Sequence, residues 1–244
     1  MTGAGEGSAE PKRAIVIGSS GGIGAALASR MEDRGFAVAR LSRSAGATGS
    51  TTRQPIDITD EASIARAAAS LAPGGPYSVV IVASGLLHDE AAGPEKSLRD
   101  LDRGTLLNYF DVNAVGPALA AKHFIPLLPR HGKCIFAALT ARVGSIADNR
   151  LGGWYGYRAS KAALNMLIKT LAIEASRTRP EAICVGLHPG TVDTPLSKPF
   201  QRGVPAAKLF APDYSAEHLL EVMENLTPAQ TGHCFAWDGQ PISP

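Results

Sequence analysis

Short apolar runs recur along the chain, and they are separated by longer stretches in which apolar residues return every three or four positions. The short runs are apolar at nearly every position, which is typical of strands buried on both faces of a sheet. Such strands must be covered by other elements on both sides. We predict strands over residues 14–18, 36–41, 77–83, 134–139 and 183–187.

The longer stretches have the spacing of apolar positions that amphipathic helices show. We predict helices over residues 23–34, 61–71, 106–128 and 155–176. Asp60 is a suitable N-cap for the second helix, because its carboxylate can accept hydrogen bonds from the first free N–H groups. Gly35 is a suitable stop for the first helix, because glycine readily adopts the left-handed conformation of helix ends.

This alternation of strands and helices predicts an α/β fold: a single doubly wound parallel sheet of the Rossmann type with helices on both faces. No internal repeat or low-complexity block interrupts it, and we interpret the Gly- and Pro-rich stretches 72–76 and 195–212 as loops. We therefore expect one domain over residues 12–244. Residues 1–11 lack the apolar segment of a secretory signal. We predict that they form a flexible tail.

The composition argues against several classes of binding partner. The chain has 24 Lys+Arg and 22 Asp+Glu, a net charge of +2, and these charges are scattered along it. Neither nucleic acid nor an anionic membrane surface is therefore an expected partner. No stretch approaches the roughly 20 consecutive apolar residues that span a bilayer.

The three cysteines are predicted to be structural. Cys134, Cys184 and Cys234 each lie within an apolar, strand-like run. Their odd number and the absence of Cys-x-x-Cys spacing favour reduced core thiols over disulfides or a metal site. Reduced thiols indicate a cytoplasmic protein, and no metal is expected.

The first predicted strand leads directly into a glycine-rich turn and then into a helix. The turn reads Gly18-Ser-Ser20-Gly-Gly22-Ile23-Gly24. Glycines let the backbone approach a pyrophosphate closely, and the start of a helix offers free N–H groups and a positive dipole end. This strand–turn–helix context predicts a dinucleotide-binding loop, although the spacing differs from the commoner Gly-x-Gly-x-x-Gly.

The end of the second strand indicates which dinucleotide is bound. An acidic residue there would accept hydrogen bonds from the ribose of NAD, but the chain has Ser42 and Arg43. A guanidinium suits a phosphate, so NADP is favoured over NAD, while a solvent-facing arginine is the alternative. A short third strand is expected before the helix over residues 61–71, and Asp57 and Ile58 at its end could frame the adenine. Ser84 and Gly85, after the fourth strand (residues 77–83), are expected beside the same crevice.

Tyr157 and Lys161 are four residues apart on a predicted helix and therefore share one face. A phenol with its ordinary pKa near 10 is a poor acid–base catalyst at neutral pH. A neighbouring ammonium favours the phenolate, so Lys161 is expected to lower the pKa of Tyr157. Asn113 lies in a helical segment after the fourth strand and adds weight to this pair.

Taken together, the glycine loop, Asn113, Tyr157-Arg-Ala-Ser-Lys161 and His188-Pro-Gly-Thr191 resemble the short-chain dehydrogenase/reductase family. The resemblance extends from about residue 12 to residue 239. Finer details, such as VGSIADNRLGGWYGYRASKAALN and the terminal FAWDGQPI, are similar to its C-factor-like carbonyl-reductase branch.

The resemblance implies a role for each matching residue. Tyr157 would be the general acid–base, Lys161 would lower its pKa and hold the nicotinamide ribose, and Asn113 would anchor a water that relays protons to Lys161. The carboxamide end of the cofactor would be held by Pro189, Gly190, Thr191 and Val192.

One position departs from the family pattern. The family usually has a serine after the fifth strand that hydrogen-bonds the substrate oxygen, and here Ala141 stands at that place. Thr140 and Ser145 are candidate replacements, with Thr140 preferred. Successive strand residues face opposite sides, so Thr140 can substitute only where the strand has ended or twists. Without either hydroxyl, polarisation of the carbonyl would fall to Tyr157 alone, and impaired catalysis follows as a possibility.

Three further features are weaker candidates. Trp154 and Tyr155 could line the substrate pocket or simply pack. The Pro-rich segment 193–212 could be a mobile lid or an ordinary surface connection. His188 is expected to shape its loop rather than to bind a metal, because no other histidine or cysteine has suitable spacing around it.

These observations predict an NADP(H)-dependent oxidoreductase that transfers a hydride between nicotinamide and a small carbonyl or alcohol substrate. The alternative is a dinucleotide-binding signalling protein on the same fold with weak catalysis, which Ala141 motivates. A homodimer or homotetramer is expected from the family resemblance. Small residues of the helix that carries Tyr157 could contact a second copy or pack inside the monomer; they are Ala159, Ala162, Ala163 and Ala172.

Overall fold

The nearly continuous apolar runs of the sequence form the central strands of the protein. The computed structural model describes residues 11–44, 53–88 and 93–244. Residues 1–10 of the predicted tail lie outside this part of the chain. The strands are β1 (Arg13–Ile17), β2 (Ala37–Ser42), β3 (Arg53–Pro55), β4 (Val79–Val82), β5 (Cys134–Leu139), β6 (Ala182–His188), β7 (Thr191–Val192), β8 (Leu209–Phe210), β9 (Cys234–Ala236) and β10 (Pro241–Ile242).

The helices follow the predicted periodicity closely, with one addition near the C-terminus. They are α1 (Gly22–Asp33), α2 (Glu61–Leu71), α3 (Arg103–Phe110), α4 (Gly116–Phe124), α5 (Tyr155–Ala175) and α6 (Pro212–Asn225). The predicted helix 106–128 is interrupted, because a π turn, Asp111–Val115, joins α3 to α4. The prediction did not include α6, which begins with a proline, a residue that suits the first turn of a helix.

Both predicted helix-end signals are confirmed. The Asp60 carboxylate accepts a hydrogen bond from Ala62 N at 2.9 Å, which satisfies one of the free N–H groups of α2. Gly35 has a φ of +81° directly after the last turn of α1. Phe36 N then donates to the Met31 carbonyl at 3.0 Å, so the chain closes the helix and turns into β2.

The main sheet has eight strands in the order β10-β9-β6-β5-β4-β1-β2-β3. Every pairing is parallel except that of β10 with β9, which is antiparallel. Helices cover both faces, so the predicted doubly wound α/β fold is confirmed. The strand order reverses between β1 and β4, and such a reversal opens a crevice at the carboxyl ends of the strands.

Two apolar layers hold the helices on the sheet, because alternate residues of each strand face opposite sides. Ile15 and Ile17 of β1 pack on the layer that contains α2, α4 and α5. Ala14 and Val16 pack on the opposite layer, which contains α1 and α6. Cysteines in β5, β6 and β9 are free and buried, as predicted; they are Cys134, Cys184 and Cys234.

Strand register places the ends of the central strands at one level. Ile17 of β1 lies opposite Leu41 of β2 and Val82 of β4, and Leu139 of β5 lies opposite Leu187 of β6. The residues that follow these strands therefore meet along one edge of the sheet. Most of the predicted site residues follow a strand at this edge.

Candidate active site

The glycine-rich loop between β1 and α1 has a backbone that only glycine accommodates at its key positions. Gly18 has a φ of +86°, and a Cβ there would come within 2.8 Å of Ser84 N. A Cβ on Gly24 would collide with the Gly18 carbonyl oxygen, and one on Gly22 would press on Thr194. In the described part of the chain no side chain caps α1. The N–H groups of its first turn can therefore bind an external anion.

A first cavity of about 510 Å³ runs along the carboxyl ends of β1 to β4. Its wall contains residues from five separate stretches of the chain, and eight of the residues predicted to bind the cofactor are among them. These are Gly18, Ser20, Ser42, Arg43, Asp57, Ile58, Ser84 and Gly85. The predicted pyrophosphate loop and the predicted nucleotide-binding residues thus face one space.

Arg43 and Asp57 share one wall of this first cavity. Ser42 is buried at the end of β2, whereas Arg43 is exposed. The Asp57 carboxylate accepts hydrogen bonds from Thr59 N at 2.9 Å and Thr59 Oγ1 at 2.7 Å. These bonds, with a smaller contribution from the Arg43 charge, lower the pKa of Asp57. Asp57 is thus ionised and hydrogen-bonded within its own turn. The exposed Arg43 side chain places a positive charge at the cavity.

A second cavity of about 610 Å³ lies across the carboxyl ends of β5 and β6; we call it the substrate cavity. The loop after β6 contributes the stretch that was predicted to hold the carboxamide end of a cofactor. Ile23, from the start of α1, lies in the same wall, so the glycine loop separates the two cavities. The predicted residues in this wall are Ile23, Thr140, Tyr157, His188, Pro189, Gly190, Thr191 and Val192.

Tyr157 and Lys161 occupy successive turns of α5 on its buried face. Lys161 Nζ lies 5.9 Å from the centre of the Tyr157 ring. The ammonium donates to the Leu139 carbonyl oxygen at 2.8 Å, at the end of β5. The pair therefore lies where α5 crosses the carboxyl edge of the sheet.

The pKa values of this pair differ from the expectation in one respect. Burial raises the pKa of Tyr157 above its ordinary value, and the nearby Tyr109 adds to the rise. Burial also lowers the pKa of Lys161 to about 8. The expected lowering of the Tyr157 pKa by Lys161 was therefore wrong for the protein alone. The physical reason is that both groups lose solvation, and desolvation favours the neutral form of each.

Asn113 lies in the π turn between α3 and α4 and is completely buried. Its Oδ1 accepts from Leu86 N and its Nδ2 donates to Leu86 O, both at 2.8 Å. Nδ2 also lies 3.2 Å from Ser160 Oγ on α5. Gly85 lies between Asn113 and Lys161, since a Cβ built on it would be 3.6 Å from Asn113 Oδ1 and 3.8 Å from Lys161 Nζ. Asn113 thus ties the loop after β4 to the helix of Tyr157, within reach of Lys161.

The two hydroxyls considered as replacements for the missing serine lie in different surroundings. Thr140 Oγ1 donates to Asn165 Oδ1 at 2.5 Å, and Thr140 lines the substrate cavity. Ser145 Oγ donates to the Pro244 carbonyl at 3.3 Å and is not part of that wall. Ala141 packs in one apolar cluster with Tyr157. The place of the family's serine therefore carries a methyl group beside the phenol.

Glu95 belongs to the surroundings of the site, and the sequence did not indicate it. Only 3% of its surface is exposed. Its Oε2 accepts from Gly156 N at 3.2 Å, and its carbonyl accepts from Trp154 N at 2.5 Å. Trp154 has a φ of 53°, uncommon for a residue other than glycine. Glu95 thus caps α5 from a distant segment, one residue before Tyr157, and no local motif marks such a contact.

The remaining weaker candidates also surround the substrate cavity. Trp154 and Phe200, whose ring centres are 5.2 Å apart, both lie in its wall. Phe200 comes from the segment 193–212, which therefore covers one side of the cavity. Tyr155 is 40% exposed and is absent from the described wall. His188 Nδ1 is buried and has no hydrogen-bond partner among the described residues.

The fold and this crevice are those of a dinucleotide-binding α/β protein, and comparison with known proteins gives the family. The model of the family described as short chain dehydrogenase matches residues 12–204. This chain belongs to the short-chain dehydrogenase/reductase family and is an oxidoreductase. None of the helices in the described part of the chain combines the length and apolar character that a membrane span requires.

Individual proteins resemble this chain over most of its length. It is 36% identical to the C-signal of Myxococcus xanthus over 169 residues, 69% of this chain and 93% of that protein. It is 30% identical to 1-hydroxy-2-glutathionyl-2-methyl-3-butene dehydrogenase of Rhodococcus sp. over 230 residues, 92% and 96% of the two chains. The fold is similar to NADPH-bound carbonyl reductase from chicken fatty liver, with a TM-score of 0.83, 22% identity and coverage of 96% and 94%.

Proposed function

We propose that this protein is an NADP(H)-dependent carbonyl reductase or alcohol dehydrogenase of the short-chain dehydrogenase/reductase type. One observation carries the proposal. Tyr157 lies in the wall of the substrate cavity together with Ile23 of the glycine loop and the loop after β6, and Lys161 lies one turn away. An acid–base group therefore faces the space that the cofactor-binding loops also face.

The residues at the sheet edge fit a nicotinamide dinucleotide, which supplies or accepts the hydride when it is bound. The uncapped start of α1 would hold its pyrophosphate. Ser42 and Arg43 would hold a 2′-phosphate, and no carboxylate follows β2 directly to repel one. Asp57 and Ile58 would frame the adenine. This arrangement favours NADP over NAD, as does the similarity in fold to a carbonyl reductase solved with NADPH.

Tyr157 holds its proton in the protein because burial raises its pKa. A phenol that stays protonated at neutral pH can donate to a carbonyl oxygen as negative charge develops there during reduction. Lys161 would stabilise the phenolate that results, since its ammonium lies on the same buried face. Leu87, Ala141 and Trp154 pack around Tyr157 and exclude water from this transfer.

Carbonyl polarisation by a second donor is assigned to Thr140, with Ser145 as the alternative. Thr140 lines the substrate cavity, and its hydroxyl would have to leave Asn165 Oδ1 in order to reach a substrate oxygen. Loss of one hydrogen-bond donor to the substrate oxygen commonly lowers the catalytic rate by about a hundredfold or more. We therefore expect modest turnover compared with relatives that carry the usual serine.

Replacement of Tyr157 tests the proposal. In Tyr157→Phe we expect NADPH to bind as in the wild type, while turnover falls by about 10²- to 10⁴-fold because the transferable proton is lost. NADPH oxidation is followed with a panel of aldehydes, ketones and quinones, and binding is followed by calorimetry. Tyr155→Phe is the matched control, since that neighbouring phenol is exposed. Equal steady-state rates in wild type and Tyr157→Phe would eliminate this mechanism.

The alternative of a catalytically weak signalling protein receives no support from the comparisons. The same assay separates it, because that alternative predicts tight NADPH binding with no turnover on any member of the panel. We further propose a cytoplasmic homodimer or homotetramer. Apolar side chains exposed on α3 and α5 support self-association, and Ala172 packs inside the protomer; the exposed residues include Leu107, Met166 and Ile173.

A further inference from the structure

The substrate cavity combines an apolar floor with a cluster of cations at one side. The apolar part surrounds Tyr157 and includes Leu87, Val143, Trp154, Leu196 and Phe200. The charged groups in the same wall are Arg142, Asp148, Arg150 and Arg158. A site of this kind favours a ligand with an apolar body and a charged end.

The charges in this wall do not balance among the described residues. Three guanidinium groups face one carboxylate, that of Asp148. His188 is neutral at pH 7, because burial, with the Arg142 charge second, lowers its pKa to about 4. The wall is therefore cationic, and a cleft lined by one sign of charge concentrates ligands of the opposite sign.

The guanidinium groups keep unused hydrogen-bond donors. Arg158 Nε donates to Gly153 O at 3.0 Å and Nη1 donates to Val143 O at 3.2 Å. These bonds anchor the half-buried side chain to both ends of the connection between β5 and α5. Among the described residues, no carboxylate lies within 4.0 Å of Arg150 or Arg158. Arg142 has one, Asp148, at 3.2 Å. Each guanidinium has five N–H donors, so several remain available for an anion.

The shared cavity wall places these cations on the same space as the reacting group. Arg142 follows Ala141, whose methyl group packs in the cluster around Tyr157, and Arg158 donates to the carbonyl of Val143, whose side chain packs against the same cluster. A substrate with its carbonyl at Tyr157 and an apolar body on the floor would then have its far end among the arginines. The arginines would therefore contact the part of the substrate that does not react.

We propose that the substrate of this enzyme is a carbonyl or alcohol compound that carries a carboxylate, bound by Arg142, Arg150 and Arg158. This inference rests on the proposed function and adds the substrate class to it. Arginine is suited to the role, because its planar fork matches the two oxygens of a carboxylate.

Matched aldehydes test the inference. We compare kcat/KM for 4-formylbenzoate and for methyl 4-formylbenzoate, which has the same ring and aldehyde but no charge. Wild type is expected to prefer the carboxylate by about tenfold, since the guanidinium groups can bind a carboxylate and a neutral ester offers them no charge. In the double variant Arg142→Gln/Arg150→Gln, the ratio of kcat/KM for the carboxylate to kcat/KM for the ester should fall towards one. Arg177→Gln replaces an exposed arginine just beyond the C-terminal end of α5, and it should leave this ratio unchanged.

A binding measurement separates the inference from the proposed function. Calorimetry on NADPH-loaded protein, in which an alcohol cannot react, compares 4-(hydroxymethyl)benzoate with its methyl ester in the wild type and in the double variant. Turnover of both aldehydes at equal efficiency, or a preference that survives the double substitution, would overturn the inference and leave the oxidoreductase assignment intact. Tighter carboxylate binding without turnover would support the inference and contradict the proposed function. Equal binding of acid and ester, in the absence of turnover, would overturn both.

Discussion

Lys161 is a buried cation that depends on backbone contacts rather than on an acidic partner. Only 3% of its surface is exposed, and its ammonium donates to the Leu139 carbonyl. No carboxylate forms an ion pair with it among the described residues. The protein therefore carries the desolvation cost of this group, and the lowered pKa of about 8 expresses that cost.

The pH dependence of stability follows from this pKa. The folded pKa of about 8 lies below the value of about 10.4 for an unfolded chain. Between these values the unfolded chain binds more protons, so the contribution of Lys161 to stability rises with pH across that window. Lys161→Met should be more stable than the wild type at pH 7 by about 2–3 kcal/mol, and most of this advantage should disappear by pH 10.

Urea unfolding of both proteins at pH 7, 8.5 and 10 measures this difference. Other groups titrate in the same range, but they are common to the two proteins and cancel in the comparison. Parallel stability curves for wild type and Lys161→Met would contradict a lowered pKa for Lys161. Enzyme activity is not the readout here, so the result does not depend on an identified substrate.

Arg43 is the residue on which cofactor preference is expected to depend. It follows β2 and faces the first cavity, and Asp57 near it is engaged by Thr59. Arg43→Asp should lower kcat/KM for NADPH relative to NADH by about tenfold or more, because a charge-assisted phosphate contact is replaced by repulsion. Arg53→Asp, at the start of β3, is the control. A coenzyme ratio that does not change in Arg43→Asp would remove Arg43 from the site.

Helix α5 depends at its first turn on a residue 61 positions away in sequence. The residue before the helix, Trp154, has no side-chain group that caps it, and the Glu95 carboxylate contacts Gly156 N instead. A carboxylate at a helix N-terminus also interacts favourably with the helix dipole. This contact therefore stabilises the turn that carries Tyr157.

Removal of this contact should affect both stability and catalysis. Glu95→Ala is expected to lower the free energy of unfolding by about 1–2 kcal/mol, the range for a lost N-cap. It should reduce kcat by about tenfold with a smaller change in KM, because the phenol is displaced rather than removed. Glu95→Gln should recover most of both, since an amide oxygen can still accept from Gly156 N.

Glu174→Ala provides the control for this element, because Glu174 is exposed in the last turn of the same helix. Thermal unfolding and steady-state kinetics are measured for all three variants. A Glu95→Ala protein with wild-type kcat and lowered stability would show that Glu95 is structural only. If neither quantity changed, the capping role itself would be wrong.

At the scale of the whole molecule, the sheet edge assembles a site from distant stretches of the chain. Gly18, Arg43 and Ser84 follow three different strands, yet they line one cavity because those strands are parallel and in register. Tyr157 comes from α5 and meets the loop after β6 in a second cavity. The two cavities together run across the carboxyl ends of β1 to β6, where a doubly wound fold binds its ligands.

The sequence by itself determined the fold class, the central strands and most of the helices. Strands buried on both faces must be apolar throughout, and helices on a sheet must be apolar on one side, so these patterns are visible locally. The helix-end residues Asp60 and Gly35 were identified for the same reason, because capping depends on a few neighbouring positions. The glycine loop was also recognisable, since its backbone shape restricts which residues fit.

Only the tertiary structure decided which polar groups are buried and what they contact. Glu95 has the sequence surroundings of an exposed charge, and only its packing beneath α5 makes it a cap. In the protein alone the pKa of Tyr157 is raised rather than lowered, because desolvation depends on every element around the phenol and a neighbouring lysine is only one of them. The cationic wall likewise depends on how the connection between β5 and α5 folds over the cavity. The spacing of residues along the chain indicates local geometry, whereas burial is a property of the assembled molecule.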